Sequence, residues 1–199
     1  MYEKKDHYHN LAKKQGYRAR SAFKLRQINN KFRVIRKNSI VVDIGASPGG
    51  WMQVASEITG PGGKVVGVDI VDMEPLDMPN VFFIRGDITK DSTKDAILES
   101  VGYADVIISD IAPKTTGIVD IDRSRSAILS MQALEIAKDV LKPGGNFLTK
   151  VFQSQEAEEL FHEINRTFAF AKRYRPPSTR KRSVEIYFIG RGMHGEDRQ

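Results

Sequence analysis

Residues 40 to 51 read Ile-Val-Val-Asp-Ile-Gly-Ala-Ser-Pro-Gly-Gly-Trp, and this stretch decides the fold class. An apolar strand carries an acid near its end and runs into a loop that contains three glycines. Glycine lets a ligand approach the main chain, and the proline stiffens the turn before a helix that starts near the tryptophan. The pattern predicts a cofactor-binding loop, with contacts from Asp43, Gly45, Pro48 and Gly49.

The spacing of this loop distinguishes two kinds of cofactor. A dinucleotide-binding loop would read G-x-G-x-x-G and would hold a pyrophosphate at the helix N-terminus. Here the glycines are spaced differently, and the carboxylate of Asp43 would repel phosphate. The same carboxylate suits a cationic ligand, such as the amino group and sulfonium of S-adenosylmethionine. The loop therefore favours S-adenosylmethionine over NAD, and an ordinary strand-to-helix turn is the alternative without a ligand.

Helical and strand patterns alternate along the chain. Helices are predicted over residues 18–32, 51–58, 90–100, 123–140 and 155–166, and strands over 40–44, 64–68, 81–85, 104–109, 146–151, 169–175 and 184–190. The alternation predicts an α/β protein with a mostly parallel, seven-stranded sheet covered by helices on both faces. Since no helix separates the last two strands, we expect them to form a C-terminal antiparallel hairpin.

Acids follow two of the predicted strands. Asp69 ends the second strand, 24 residues after Gly45, where a carboxylate can accept hydrogen bonds from both hydroxyls of an adenosine ribose. Asp87 follows the third strand and could bind the adenine amino group. The alternatives are a turn acid at Asp69 and a helix cap at Asp87. Taken with the loop, the two acids predict an adenosyl-bearing cofactor.

Three further polar residues are predicted to meet at the same end of the sheet. Asp110 ends the fourth strand, and Lys150 lies at the end of the fifth. Glu185 is close to the beginning of the last strand, which reaches the same end if that strand is antiparallel to the fifth. A buried salt bridge or a snorkelling lysine is the alternative for each residue alone. A lysine within an apolar strand is costly, so the group predicts a functional site.

Length and composition limit the class of protein. The chain has 199 residues, 40% of them hydrophobic, which is enough for one α/β domain with a full core. We expect that domain to span residues 1–192, with a flexible tail over 193–199. The absence of cysteine excludes thiolate zinc sites, disulfide scaffolds and cysteine nucleophiles, and no metal site is expected. The charged start and the lack of long apolar runs predict no signal peptide and no membrane-spanning helix, so we expect a cytoplasmic protein.

Positive charge is concentrated in two blocks, although the formal net charge is only +6. Residues 1–40 hold twelve Lys or Arg against two acids, and residues 172–182 hold six more. Either block alone is typical of a solvated face, but aromatic residues are interleaved with both. Together they predict an RNA-binding surface, to which a basic arm and helix over 1–38 contribute. The predicted RNA contacts are Lys13, Lys14, Arg18, Arg20, Arg180 and Arg182.

Four stretches of the chain resemble the FtsJ-type, or RlmE-type, ribosomal RNA ribose 2′-O-methyltransferases. They are residues 43–53 (DIGASPGGWMQ), 109–117 (SDIAPKTTG), 147–153 (FLTKVFQ) and 182–188 (RSVEIYF), and the resemblance covers nearly the whole chain. It implies a Rossmann-like, class I methyltransferase fold, S-adenosylmethionine as the cofactor and a catalytic Lys-Asp-Lys-Glu tetrad. The positions that match the tetrad are Lys24, Asp110, Lys150 and Glu185, and the resemblance implies that Trp51 and Asp110 also contact the cofactor.

The resemblance also implies a reaction and a substrate. The reaction is methyl transfer to the 2′-hydroxyl of an RNA ribose, with Lys150 as the proton acceptor. The family favours a uridine of large-subunit (23S) ribosomal RNA in an assembled subunit, and we expect a monomer. The alternatives are the same chemistry on a tRNA anticodon loop or an mRNA cap, a catalytically silent RNA-binding ribosome-assembly factor, and a small-molecule methyltransferase. The intact tetrad counts against a silent factor, and the basic blocks count against a small-molecule substrate.

Overall fold

The computed structural model of the chain describes residues 7–195, which contain a seven-stranded sheet. Its strands are β1 (Ile40–Ile44), β2 (Lys64–Asp69), β3 (Val81–Arg85), β4 (Ala104–Ser109), β5 (Leu141–Phe152), β6 (Phe168–Tyr174) and β7 (Glu185–Met193). They lie in the order β3-β2-β1-β4-β5-β7-β6. Neighbours from β3 to β5 are parallel, whereas β7 is antiparallel to both β5 and β6. The predicted mostly parallel sheet with a C-terminal antiparallel hairpin is confirmed.

Helices cover both faces of the sheet, as the alternating pattern predicts. They are α1 (His7–Lys14), α2 (Ala22–Phe32), α3 (Gly50–Thr59), α4 (Asp91–Val101), α5 (Val119–Val140) and α6 (Gln155–Thr167). The first three pack on one face and the last three on the other. No helix within residues 7–195 has the length and the apolar character that crossing a membrane requires.

Consecutive residues of the central strands enter opposite core clusters. Val41 packs with residues of α2 and α3, Val42 packs with residues of α5, and both side chains are fully buried. Side chains alternate across a strand, so a strand that is buried on both faces reads as a continuous apolar run. This is why the apolar runs at 40–44 and 104–109 predict the bounds of β1 and β4 correctly.

The second helix begins later than predicted, at Ala22 instead of residue 18. The backbone N–H of Arg18 donates to Oε1 of Gln53 at 2.9 Å, and the carbonyl of Ser21 accepts a hydrogen bond from Nε1 of Trp51 at 2.9 Å. These contacts with α3 fix residues 18–21 as a bend and a turn before the helix begins. The predicted start at residue 18 comes from the hydrophobic pattern, which indicates the buried face of a segment but contains no information on long-range hydrogen bonds.

Two elements near the middle of the chain are longer than predicted. Helix α5 begins at Val119 instead of residue 123, because the carboxylate of Asp122 accepts hydrogen bonds from the N–H groups of Thr116 and Gly117 and fixes the preceding turn. Strand β5 starts at Leu141 instead of residue 146, and its register with β4 shifts across the intervening residues.

The C-terminal strand is also longer than predicted. It continues to Met193, which is buried and pairs with Phe168 of β6. The prediction that a tail starts at residue 193 is therefore wrong at its first residue. Residues 196–199 of the predicted tail lie outside the described residues, as do residues 1–6 of the basic segment.

A close approach between β7 and β6 predicts the effect of one substitution. A Cβ atom at Gly190 would lie 2.5 Å from Cδ2 and 2.6 Å from Cγ of Phe168, whose ring is buried. We expect Gly190→Ala to lower the free energy of unfolding by about 1–3 kcal/mol, since the ring must leave its packed position. Urea unfolding measures the change. Gly195→Ala is the control, because its Cβ would meet nothing closer than 3.7 Å; equal stability of the two variants would contradict the packing argument.

Candidate active site

The parallel strands bring the predicted polar residues to one end of the sheet. In the register of the sheet, Ser109 at the end of β4 pairs with Thr149 of β5, so the next residues, Asp110 just after β4 and Lys150 within β5, lie at the same level. Glu185, the first residue of β7, pairs with Phe152 at the end of β5. Because β7 is antiparallel to β5, its first residue lies at the edge of the sheet where the parallel strands end. Lys24 reaches the same place from α2.

The four residues that match the tetrad form two ion pairs. Nζ of Lys150 lies 3.0 Å from Oδ1 of Asp110 and donates to the Asp110 carbonyl at 2.6 Å. Nζ of Lys24 pairs with Oε1 of Glu185. All four side chains are largely buried, with exposed fractions between 9% and 18%. Each lysine is paired with one carboxylate in a largely buried position. A purely structural role for two such pairs would be unusual, since buried ion pairs add little stability.

Tyr187 links the two ion pairs and is a site residue that the sequence analysis missed. Its hydroxyl donates to Oδ1 of Asp110 at 3.4 Å, and Nζ of Lys24 lies 5.9 Å from the centre of its ring. Burial, together with Asp110 and Glu185, raises the pKa of Tyr187 well above its usual range, so the hydroxyl remains a donor. The signal was available, because residues two apart in a strand share a face and Tyr187 follows Glu185 by two.

The glycine loop between β1 and α3 is tightly packed against its neighbours. Gly45 has φ 76°, and a Cβ there would lie 2.7 Å from the Cα of Ile111. Gly49, at the N-terminus of α3, has φ 106°. The Ser47–Pro48 peptide bond is cis. The sequence requires glycine at these positions, because a side chain would be strained by the backbone angle and, at Gly45, would also collide with the main chain.

Asp43 lies beneath this loop as a buried carboxylate without a partner. Its side chain is fully buried, and neither carboxylate oxygen accepts a hydrogen bond from any described residue. Burial, with Asp110 and Asp69 nearby, raises the pKa of the Asp43 carboxyl well above its usual range. An unsatisfied buried acceptor is costly, so this position fits the prediction of a donor or cationic group brought by a ligand.

Asp69 and Asp87 line a cavity of about 300 Å³ beside the loop, together with apolar side chains that include Ile70, Ile88 and Ile111. The Asp69 carboxylate accepts hydrogen bonds from the N–H groups of residues 47 and 71, both at 2.9 Å, which fix its orientation. Asp87 accepts from the N–H and hydroxyl of residue 89, and these bonds lower its pKa. Two carboxylates at the rim of an apolar slot fit a flat ring that carries a ribose.

The residues predicted to bind RNA fall into three groups. Lys13 and Lys14 are exposed on α1. Arg20, Arg180 and Arg182 line a cavity of about 350 Å³ that also contains the Lys24–Glu185 pair. Arg18 differs, because its guanidinium binds the carbonyl oxygens of residues 48, 74 and 75 and so connects the glycine loop with the loop after β2.

A seven-stranded sheet with a glycine loop after β1 and acids after the next strands is the Rossmann-like arrangement of methyltransferases. The chain matches the crystal structure of a protein from Plasmodium falciparum assigned as a ribosomal RNA methyltransferase, with a TM-score of 0.79 and 29% identity, over 90% of this chain and 100% of that chain. The model of the FtsJ-like methyltransferase family matches residues 17–193. The chain belongs to the FtsJ-like methyltransferase family.

Curated relatives cover almost the whole chain. A protein of Methanothrix thermoacetophila named ribosomal RNA large subunit methyltransferase E is 53% identical over 192 residues, which are 96% of this chain and 74% of that protein. A protein of the same name from Archaeoglobus fulgidus is 49% identical over 191 residues, which are 96% of this chain and 97% of that protein.

The raised pKa of Asp43 predicts a dependence of stability on pH. The folded state keeps a proton on this carboxyl that the unfolded state releases above its ordinary pKa of 3.8, so stability falls as the pH rises above that value. Asp43→Asn removes the titrating group. We expect the ligand-free variant to be more stable than the parent chain at pH 8 by about 1–3 kcal/mol, and equally stable near pH 4.

Urea unfolding at several pH values measures this difference. Asp95→Asn, which changes an exposed carboxylate of α4, is the matched control and is expected to leave the pH profile unchanged. A stability difference between Asp43→Asn and the parent chain that stays constant from pH 4 to pH 8 would show that Asp43 does not titrate as argued.

Proposed function

We propose that this methyltransferase transfers a methyl group from S-adenosylmethionine to the 2′-hydroxyl of a ribose in RNA, at a uridine of large-subunit ribosomal RNA. The single observation that carries the proposal is the pair of buried ion pairs, Lys150–Asp110 and Lys24–Glu185, at the end of the sheet where the glycine loop lies. The names of the relatives from Methanothrix and Archaeoglobus support a ribosomal RNA substrate.

The residues around the glycine loop fit S-adenosylmethionine. Asp69 would accept the ribose hydroxyls of its adenosine, Asp87 the adenine amino group, and the apolar slot of about 300 Å³ between them would hold the ring. Gly45 and Gly49 allow the positive backbone angles of the loop beside this slot, and the carboxylate of Asp43 would favour the positive charge of the ligand. S-adenosylmethionine supplies a methyl group activated by a sulfonium.

Lys150 is proposed as the proton acceptor. The hydroxyl proton would pass to Nζ of Lys150 as the ribose oxygen takes the methyl group that S-adenosylmethionine would supply. The lysine must be neutral before this step, and its amine then still donates to Asp110 while its lone pair faces the hydroxyl. Asp110 orients Lys150, Tyr187 holds Asp110, and Glu185 fixes Lys24. Fixed groups of this kind accelerate the reaction by alignment as well as by proton transfer.

The basic residues around the two ion pairs would bind the RNA backbone. Arg20, Arg180 and Arg182 lie next to the Lys24–Glu185 pair, and Lys13 and Lys14 extend the positive surface on α1. Phosphate contacts of this type position an RNA without reading its sequence. We propose further that the protein acts as a monomer in the cytoplasm, on ribosomal RNA within a large subunit.

Substitution of Lys150 tests the role of the proposed base. We expect Lys150→Ala to lower kcat by about 10²- to 10⁴-fold, the usual contribution of a general base, while calorimetry shows unchanged binding of S-adenosylmethionine. Lys150→Arg is the sharper control, since arginine keeps the charge next to Asp110 and cannot lose its proton at neutral pH. If Lys150→Arg retained turnover close to that of the parent chain, the positive charge alone would matter and the base would have to be another group.

Labelled S-adenosylmethionine tests the substrate. The protein is incubated with large ribosomal subunits, small ribosomal subunits or bulk tRNA, and alkali-resistant positions are then mapped. We expect label in large-subunit RNA, at a uridine whose 3′ phosphodiester resists alkali because its 2′-oxygen is methylated. Label in tRNA alone would replace the ribosomal substrate with an anticodon-loop ribose. Cofactor binding without transfer to any RNA would favour a silent RNA-binding factor.

A further inference from the structure

A cationic cavity lies at the opposite end of the sheet from the candidate active site. It has a volume of about 630 Å³ and is formed where β1, β4 and β5 begin and β7 ends. Its charged lining consists of Arg36, Lys37, Lys142, Arg191 and a single acid, Asp105. The cavity is therefore separated from the glycine loop and the two ion pairs by the length of the parallel strands.

The acid in this cavity already has protein partners. Oδ1 of Asp105 lies 3.1 Å from Nζ of Lys142, and Oδ2 accepts the N–H of Ile40 at 2.7 Å. Arg36, Lys37 and Arg191 make no ion pair with any residue from 7 to 195. Three positive charges consequently face the cavity without compensation from the part of the chain that the structure describes.

Arg191 is the most informative of the three cations. Its Nε is buried and has no acceptor among the described residues, which is costly unless a ligand or solvent supplies one. The surrounding main chain is fixed, because Asn146 donates from Nδ2 to the carbonyl of Val34 at 2.8 Å and accepts the N–H of Gly192 at 3.2 Å. These bonds tie the α2–β1 connection to β5 and β7, so the cavity is a built feature of the fold.

An exposed aromatic ring lies beside the cations. Phe170 of the edge strand β6 lines the cavity, is 43% exposed and pairs in register with Arg191. A cationic groove that tracks phosphates, with an aromatic side chain on which a base can stack, is the combination that binds single-stranded nucleic acid. A small inorganic anion would use the cations and would leave the ring without a role.

We propose that this cavity binds a second, single-stranded segment of the RNA substrate, with phosphodiester groups at Arg36, Lys37 and Arg191 and a base on Phe170. The inference rests on the proposed function, because it takes RNA as the substrate. Helix α2 connects the two sites: it carries Lys24 near its start, spans about 16 Å for its eleven residues, and is followed by Arg33 and Arg36. Lys31 and Arg33 are exposed along this route. The second site contributes affinity and leaves the methyl-transfer step to the other end of the sheet.

Binding of RNA to the full chain tests the proposal. The probe is a fluorescently labelled large-subunit ribosomal RNA fragment that includes single-stranded segments, and anisotropy is followed at several salt concentrations. We expect Arg36→Gln/Lys37→Gln to weaken binding at 0.1 M salt by about 5-fold for each phosphate that is no longer neutralised. The negative slope of log K against log salt should become shallower by about 0.7 per phosphate. Both side chains are exposed, so the substitutions leave the core intact.

Matched variants separate this cavity from general charge effects. Lys90→Gln/Lys94→Gln removes the same two charges on the other face of the sheet, at the start of α4, and is expected to change affinity much less. Phe170→Ser keeps every charge and is expected to weaken binding at least 5-fold, because the base then has no ring on which to stack. Equal effects of the two double variants on affinity, together with unchanged binding by Phe170→Ser, would overturn the proposal.

The remaining outcomes identify what else could occupy the cavity. Calorimetry with inorganic phosphate at constant ionic strength tests a small anion. Phosphate binding that disappears in Arg36→Gln/Lys37→Gln, with RNA affinity unchanged, would overturn RNA as the occupant. A parent chain that binds no RNA would contradict the proposed function itself, whereas a parent chain that binds and methylates RNA with both cavity variants at full affinity would contradict only this inference.

Discussion

Burial on both faces is the constraint on which the rest of this structure depends. Strands β1, β4 and β5 lie between two helical layers, so most side chains in the middle of these strands are apolar. Ionisable groups are then favoured close to where the strands begin or end. The carboxyl ends receive Asp69, Asp110 and Lys150, and the amino ends receive Lys142 and Asp105. Both the candidate active site and the cationic cavity follow from this division.

Asp43 breaks the rule, and its position explains why. It lies within β1, is fully buried, and is close enough to Asp110 and Asp69 for their charges to oppose its ionisation. The two lysines of the site are paired with Asp110 and Glu185, so neither neutralises Asp43. A fold selected for stability alone would place an apolar residue here. The carboxyl group of Asp43, which has no hydrogen-bond partner, lowers the stability of the ligand-free chain. A cationic ligand would offset this loss of stability.

The sequence allowed much of the fold to be predicted because burial leaves a local pattern. The bounds of β1 and β4 follow from their apolar runs, and the acids at the strand ends follow from the topology. The misplaced start of α2 and the missed role of Tyr187 have another origin, since both depend on contacts between residues more than twenty positions apart. The sequence did not reveal the cationic cavity either, because its lining comes from five separate segments that only the folded sheet brings together.

The basic segment before β1 is the part of the chain that the sequence describes least well. Its charge suggests an arm that contacts RNA, yet from Gly16 onward the segment packs against the glycine loop and the start of α3. Nε2 of Gln53 donates to the carbonyl of Gly16 at 2.9 Å, and a Cβ at Gly50 would lie 2.9 Å from that of Ala19.

Arg18 and Ser21 continue these contacts with the glycine loop and α3. Arg18 binds carbonyls of the glycine loop and of the loop after β2, and the carbonyl of Ser21 accepts the indole N–H of Trp51. Lys24 follows one helical turn later and meets Glu185. Because one segment fixes both the loop and this lysine, the position of the Lys24–Glu185 pair is set by the contacts that shape the cofactor loop. A substitution in residues 16–21 would therefore disturb both halves of the site together, although none of these residues belongs to either ion pair.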